Sequence, residues 1–177
     1  MEKKLIVLSG IPGSGKSTYA ADYVNKNPET YIVASDAIRL ELFGRVDDFS
    51  KEELVWEIFE NRIRQKVKTH STVIADSSAT TNVRRLRWAS IFRRHFDNIE
   101  LVYFDIPFAV CLERNEKRHL TIPYDDMVVM RDSFEKPSDE VVGAYDKITE
   151  IKRWGIPRLF DNKTINKPSK AAPKATT

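Results

Sequence analysis

Apolar residues along this chain fall into short runs, and between the runs they recur every three or four positions. The runs lie at 5–9, 31–34, 72–76, 99–105 and 146–151. Tyr31-Ile32-Val33 and Thr72-Val73-Ile74 are short and β-branched, as buried strands tend to be. The longest helical pattern covers 51–69, where Leu54, Val55, Ile58, Phe59, Ile63 and Val67 share one face. Ser50 and Glu53 at its start have the spacing of a capping box. A second helix is predicted over 82–96, with Leu86, Ala89, Ile91 and Phe92 inward and its arginines outward. Strands that alternate with helices predict an α/β fold whose parallel sheet is covered on both faces.

The first run, Leu5-Ile6-Val7-Leu8, leads into Gly10-Ile11-Pro12-Gly13-Ser14-Gly15-Lys16-Ser17, and a helix-forming stretch follows. This is the phosphate-loop pattern GxxxxGK[ST] in the strand–loop–helix context that it requires. Its glycines let backbone N–H groups turn inward around an anion, and the helix start adds partial positive charge. Lys16 is placed to reach the β- and γ-phosphates of ATP or GTP, and the Ser17 hydroxyl to ligate Mg²⁺. Gly13, Ser14, Gly15 and Thr18 complete the expected nucleotide site.

Three further strand ends carry polar residues. In open α/β sheets ligands bind beyond the carboxyl ends of the strands. Asp36, just past the second run, is placed to orient an attacking hydroxyl, and Arg39 falls on the same helix face. The competing reading makes Asp36 a helix N-cap. The third run ends in Asp76, a candidate Mg²⁺ contact or, alternatively, a turn former in Asp76-Ser77-Ser78. After the fourth run, Arg114 and Arg118 share a helix face beside the helix-breaking segment His119-Leu120-Thr121-Ile122-Pro123. Such a pair suits a lid that neutralises charge on the leaving phosphate.

Charge and composition narrow the picture. The net charge of +3 comes from Lys163, Lys167, Lys170 and Lys174 against Asp161, so residues 1–160 are formally neutral. That is less charge than a protein coating nucleic acid nonspecifically carries. A basic, disordered tail is expected over 161–177, after a domain spanning 1–160. The one cysteine, Cys111, excludes an internal disulfide and reads as a buried, inert thiol. No run suits a membrane span or signal peptide, and the expectation is a cytoplasmic protein. His70, His95 and His119 lack metal-ligand spacing.

Taken in order, four features resemble the kinase module of phage-type 5′-hydroxyl polynucleotide kinases and their zeta-toxin-like P-loop relatives. They are Gly10 to Thr18, Ser35-Asp36 with Arg39, Val73 to Ser77, and Tyr103-Phe104-Asp105-Ile106-Pro107 followed by Arg114 to Arg118. The resemblance covers about residues 5–135 and implies a three-layer P-loop fold. Its sheet would have four or five parallel strands flanked by helices, with a helical lid at about 114–135. It further implies ATP- and Mg²⁺-dependent phosphorylation of a 5′-OH end of DNA or RNA. Asp36 would be the general base, Arg39 would contact the acceptor's neighbouring phosphate, and Arg118, with Arg114 near it, would engage the ATP phosphates. Where the family often has an Asn after the third-strand aspartate, this chain has Ser77-Ser78-Ala79. Kinases of a nucleoside, sugar, nucleotide sugar or modified DNA base share the loop and aspartate, and a nucleotide-binding switch is the reading from another class.

Overall fold

The first strand becomes the centre of the sheet. The computed structural model describes residues 1–152 together with the strand Asn162–Ile165. Strands β1 (Lys4–Ser9), β2 (Thr30–Ala34), β3 (Thr72–Asp76), β4 (Asn98–Phe104) and β5 (Lys147–Ile151) pair in parallel. A last strand, β6 (Asn162–Ile165), joins antiparallel, and the order is β2-β3-β1-β4-β5-β6. The helices are α1 (Lys16–Lys26), α2 (Ser35–Phe43), α3 (Glu52–Lys66), α4 (Asn82–Phe92), α5 (Phe108–Glu116), α6 (Tyr124–Ser133) and α7 (Asp139–Ala144). Five parallel strands between helices confirm the expected P-loop architecture.

Alternation along β1 builds two cores. Leu5 and Val7 pack with Phe59 and Ile63 of α3 and with Trp88 and Phe92 of α4. Ile6 and Leu8 point the other way, toward Ala20 of α1, Cys111 of α5 and Met127 of α6. This is the period-2 geometry of a strand buried on both faces. The register then decides where chemistry can occur. Asp76 pairs with both Leu8 and Ala34, so the ends of β1, β2 and β3 lie level on one rim.

Three expectations need correction. Asn162–Ile165 is not part of a disordered tail; β5 would otherwise be an edge strand, and its free backbone groups pair with this segment. The rest of the expected tail lies outside the described residues. Helix α3 starts at Glu52 with Lys51 as its N-cap, and the Ser50 hydroxyl donates to Asp48 instead of capping the helix. The arginines of α4 do not all face solvent, because Arg85 is completely buried. Among the described residues, no helix is long and apolar enough to cross a membrane.

Trp88 of α4 ties that helix to α3. It stacks on Phe59 with ring centroids 5.2 Å apart, and its indole N–H donates to Glu60 Oε1 at 3.1 Å. Glu60 is itself buried and also accepts two hydrogen bonds from Arg87. Trp88→Phe keeps the ring but removes the donor, and should cost about 1–3 kcal/mol. Trp88→Ala should cost about 3–5 kcal/mol through the cavity it leaves. Urea unfolding of both variants checks the order, and a Trp88→Phe variant as stable as the wild type would remove the hydrogen bond from the account.

Candidate functional site

The site grows from the phosphate loop. Gly10 leaves β1 with its N–H donating to the Ser78 carbonyl at 2.8 Å. Gly13 has φ +80, and a Cβ there would lie 2.3 Å from the Cys111 carbonyl oxygen of α5. Only glycine lets the loop take this conformation against that helix. Arg114 reinforces the contact by donating from a guanidinium nitrogen to the Gly13 carbonyl at 3.0 Å. The Ser14 hydroxyl is buried without a hydrogen-bond partner among the described residues.

Lys16 opens α1 but folds back, its ammonium donating to the Ile11 carbonyl at 3.1 Å. Burial pushes its pKa down from the ordinary lysine value, while the charges of Asp76 and Asp36 oppose that shift. Burial likewise pushes Asp76 up, against the pull of Lys16 and the Ser17 hydrogen bond. That bond runs from Ser17 Oγ to Asp76 Oδ2 at 3.0 Å. An incoming polyphosphate would give Lys16 an anionic partner. Ser17 and Asp76 supply a hydroxyl and a carboxylate, the oxygen donors that Mg²⁺ prefers when its other positions go to water and phosphate. This donor set fits the metal. Among the described residues no group of three or more His, Cys, Asp or Glu forms an all-protein metal cage.

Asp36 stands in the first turn of α2, and Ala34 holds the N-cap position, so the aspartate does not cap the helix. Arg39 donates to its Oδ1 at 3.0 Å, and an Arg118 guanidinium nitrogen lies 3.6 Å from its Oδ2. Its side chain remains 43% exposed. Lys16, Ser17, Asp36, Asp76, Arg114 and Arg118 therefore line one cavity of about 310 Å³. Gly13, Gly15 and Thr18 line it too, while the buried Ser14 lies behind the loop.

Arg39 has several partners within the fold. It lines the cavity, yet it is only 5% exposed and grips Glu52 of α3 through two hydrogen bonds of 2.8 and 2.7 Å. A further nitrogen donates to both Asp36 and the Ser35 hydroxyl. Its guanidinium also lies 5.0 Å from the Phe49 ring centroid. This geometry joins Arg39 to Asp36, Ser35 and Glu52 at the edge of the cavity.

Sequence reasoning missed Glu52 and Arg85. Glu52 reads as an ordinary first-turn acid, which any helix favours. Arg85 reads as one of a row of solvated arginines. In the fold it donates to Ser9 Oγ, to the carbonyls of Ala79, Thr80 and Glu135, and to Asn82 Oδ1. Burial pushes its pKa down to about 10. It ties the end of β1 to the 77–82 loop, in which Ala79 takes a left-handed φ of 42°.

The geometry can now be set beside known proteins. The AAA domain family matches residues 5–137. The L-seryl-tRNA(Sec) kinase of Methanococcus maripaludis is 28% identical over 149 residues, which are 82% of this chain and 58% of that protein. The chain thus spans somewhat over half of that curated relative. A chain of the Pnkp1/Rnl/Hen1 RNA repair complex is 25% identical with a TM-score of 0.57, over 75% of this chain and 43% of its own. A chain of the AvrRxo1-ORF1:-ORF2 complex with ATP has a TM-score of 0.67 over 93% of this chain and 57% of its own. At 14% identity that likeness shows the fold alone.

The contact between Gly13 and α5 yields a test. Gly13→Ala must adopt a left-handed backbone, at a cost of about 1–2 kcal/mol, and must also displace α5. Thermal melting should shift downward and ATP affinity should fall at least about tenfold, read by equilibrium titration with a fluorescent ATP analogue. Wild-type affinity and stability together would show that α5 does not shape the loop.

Proposed function

We propose that this chain, which belongs to the AAA domain family, transfers the γ-phosphoryl of ATP to the 5′-hydroxyl end of a DNA or RNA strand. One observation carries the reading. The half-exposed Asp36 carboxylate opens into the same cavity as Lys16, Ser17 and Asp76, with Arg118 3.6 Å away. A protein that merely senses a nucleotide has no use for a braced carboxylate opposite its phosphate loop. A kinase of a hydroxyl does.

In this reading, Asp36 Oδ2 accepts the hydrogen bond of the attacking hydroxyl, orients it, and takes its proton as the new O–P bond forms. The bond from the γ-phosphorus to the β,γ-bridging oxygen breaks, and ADP carries that oxygen away. Lys16 and Arg118 neutralise the charge that gathers on the transferred and leaving groups. Ser17 and Asp76 would hold Mg²⁺, which when bound neutralises charge between the β- and γ-phosphates. Arg114 keeps the loop backbone in place through Gly13. Such transition states are loose, so positioning and charge count for more than proton removal. The segment 114–135 forms the roof over the nucleotide, and residues 1–160 form the kinase unit.

The RNA repair complex supports a polynucleotide acceptor. The seryl-tRNA kinase likeness favours a second reading, in which the hydroxyl belongs to a group carried by tRNA. The formal neutrality of residues 1–160 also leaves room for a small acceptor. Salt separates the last case, because each phosphate contact adds about one unit to the slope of affinity against salt concentration.

The deciding assay incubates the protein with γ-labelled ATP, Mg²⁺, and 5′-hydroxyl oligoribonucleotides, 5′-hydroxyl oligodeoxyribonucleotides or seryl-tRNA. Label should appear on the 5′ ends. Asp36→Asn should lower kcat about 10²- to 10⁴-fold, and Arg118→Gln about 10²- to 10³-fold. Label on seryl-tRNA alone would install the second reading in place of the first.

A further inference from the structure

The formal neutrality of residues 1–160 hides a segregation of charge. Residues 61–96 hold nine Lys and Arg against one carboxylate, Asp76, and an equal excess of acid lies in the rest of that span. Asp76 ends β3 on the rim. Most of the cations belong to the second half of α3 and to α4, which pack together through Phe59 and Trp88. Both helices run away from the rim, α3 toward the start of β3 and α4 toward the start of β4. The starts of β1, β2, β3 and β4 lie level, so the two helix ends meet at the end of the sheet opposite the phosphate loop.

Some of these cations are already paired: Arg62 with Glu41, Arg93 with Asp146 and Arg87 with Glu60. Lys68 and Arg94 are exposed and form no ion pair among the described residues. Their side chains donate to neutral atoms, Lys68 to Gln65 Oε1 at 3.4 Å and Arg94 to His95 Nε2 at 3.3 Å. Arg64 stands with them, its guanidinium 5.7 Å from the Phe92 ring centroid. Its carboxylate neighbour Glu60, 3.7 Å away, also serves Arg87 and Trp88. Partial burial and the charges of Arg94, Arg64 and Lys68 push His95 below the ordinary histidine value. Its ring is then neutral at neutral pH and can accept from Arg94. Asp97, two residues on, receives the Lys3 backbone N–H.

Like charges gathered in one place repel each other and collect counterions, and a polyanion that displaces those counterions gains from their release. One phosphate has no need of cations from two helix ends, whereas a chain of phosphates does. At the same end of the sheet the half-buried Tyr31 and His70 rings pack 5.1 Å apart, with Lys66 Nζ 4.1 Å from the Tyr31 centroid. Cations beside flat rings suit a nucleic-acid strand better than an acidic protein or a lipid surface.

We propose that the joined ends of α3 and α4 hold the backbone of a nucleic-acid strand far from its reacting end, through Arg64, Lys68 and Arg94. The proposal rests on the nucleic-acid acceptor inferred above and extends it to the body of the substrate. The eleven residues of α4 rise about 1.5 Å each, so the patch lies about 16 Å beyond the Thr81 end of that helix. At about 3.4 Å per nucleotide this is about five nucleotides of strand. A dinucleotide therefore stays at the rim, and a longer acceptor reaches the patch.

Fluorescence anisotropy with a 3′-labelled 5′-hydroxyl oligoribonucleotide of about 20 nucleotides, at several salt concentrations, reads the backbone contacts. Lys68→Glu combined with Arg94→Glu should weaken binding at least about tenfold and lower the salt slope by about one to two units. Lys26→Glu combined with Lys147→Glu changes the charge equally on α1 and β5, and should leave the slope as in wild type. In the phosphorylation assay the Lys68/Arg94 pair should lower kcat/KM on the long acceptor and leave a 5′-hydroxyl dinucleotide unaffected, with an unchanged melting temperature. If wild type labels 5′-hydroxyl ends but the Lys68/Arg94 pair binds the long strand as wild type does, the patch is overturned and the kinase reading stands. If no 5′ end is labelled but RNA binding is present and needs Lys68 and Arg94, the patch stands and the kinase reading falls. Equal losses in both pairs of substitutions would overturn the patch in favour of overall charge. Binding to phosphatidylserine vesicles through Lys68 and Arg94, without binding to RNA, would overturn it in favour of a membrane surface.

Discussion

A buried guanidinium that makes no ion pair among the described residues sets the geometry of the rim around the phosphate loop. Arg85 has no solvent exposure, and its charge is satisfied by the Ser9 hydroxyl, the Asn82 side chain and three backbone carbonyls. Neutral acceptors can compensate a buried cation only if several converge on it. That requirement fixes three segments at once: the end of β1 where the phosphate loop begins, the loop after β3, and the chain leaving α6. The left-handed backbone at Ala79 follows, because its carbonyl must turn toward Arg85. The strain at one residue is small beside the cost of leaving a guanidinium donor unpaired in the interior.

Much of this fold is legible from the chain because its signals are local. Each parallel strand is a compact apolar run, and the phosphate loop carries its function in eight consecutive residues. Asp36 and Asp76 are readable because strand ends in such sheets share a rim, and the register of β1, β2 and β3 makes them do so. Pairings across elements were not legible. Nothing near Arg85 in sequence distinguishes it from Arg84 or Arg87, yet one is buried, one stacks on a tryptophan and one grips Glu60. The same holds for Glu52, whose partner lies thirteen residues earlier on another helix. The capping box at Ser50 failed for a local reason: Asp48, two residues before it, accepts from both the Ser50 N–H and its hydroxyl, at 3.0 and 2.6 Å, and the helix starts only at Glu52.

The Arg39–Glu52 pair explains how a carboxylate on a short helix keeps its aim. Helix α2 spans nine residues and ends at Gly44, so its own hydrogen bonds would hold Asp36 only loosely. Pairing with Glu52 ties α2 to the fifteen-residue α3, whose Phe59 and Ile63 are fully buried. Stability in the core is thereby converted into orientation at the rim, as a preorganised site requires.

The arginines beyond β4 divide the roof into a fixed part and a narrow loop. Arg114 cannot swing without releasing Gly13, and α5 cannot shift without losing its seat against the phosphate loop. Movement therefore has to begin after Glu116, where α5 ends. There the buried Asn115 side chain donates to the Ile122 carbonyl at 2.7 Å and accepts from its N–H at 3.0 Å, closing the 116–121 segment into a stapled loop. Ile122 and Met127 then anchor the roof in the core beneath α6. Arg118 rides on that loop, so its reach is set by six residues pinned at each end. A cation held this way stands in the cavity beside Asp36, 3.6 Å from its carboxylate, without a wide swing of the segment that carries it.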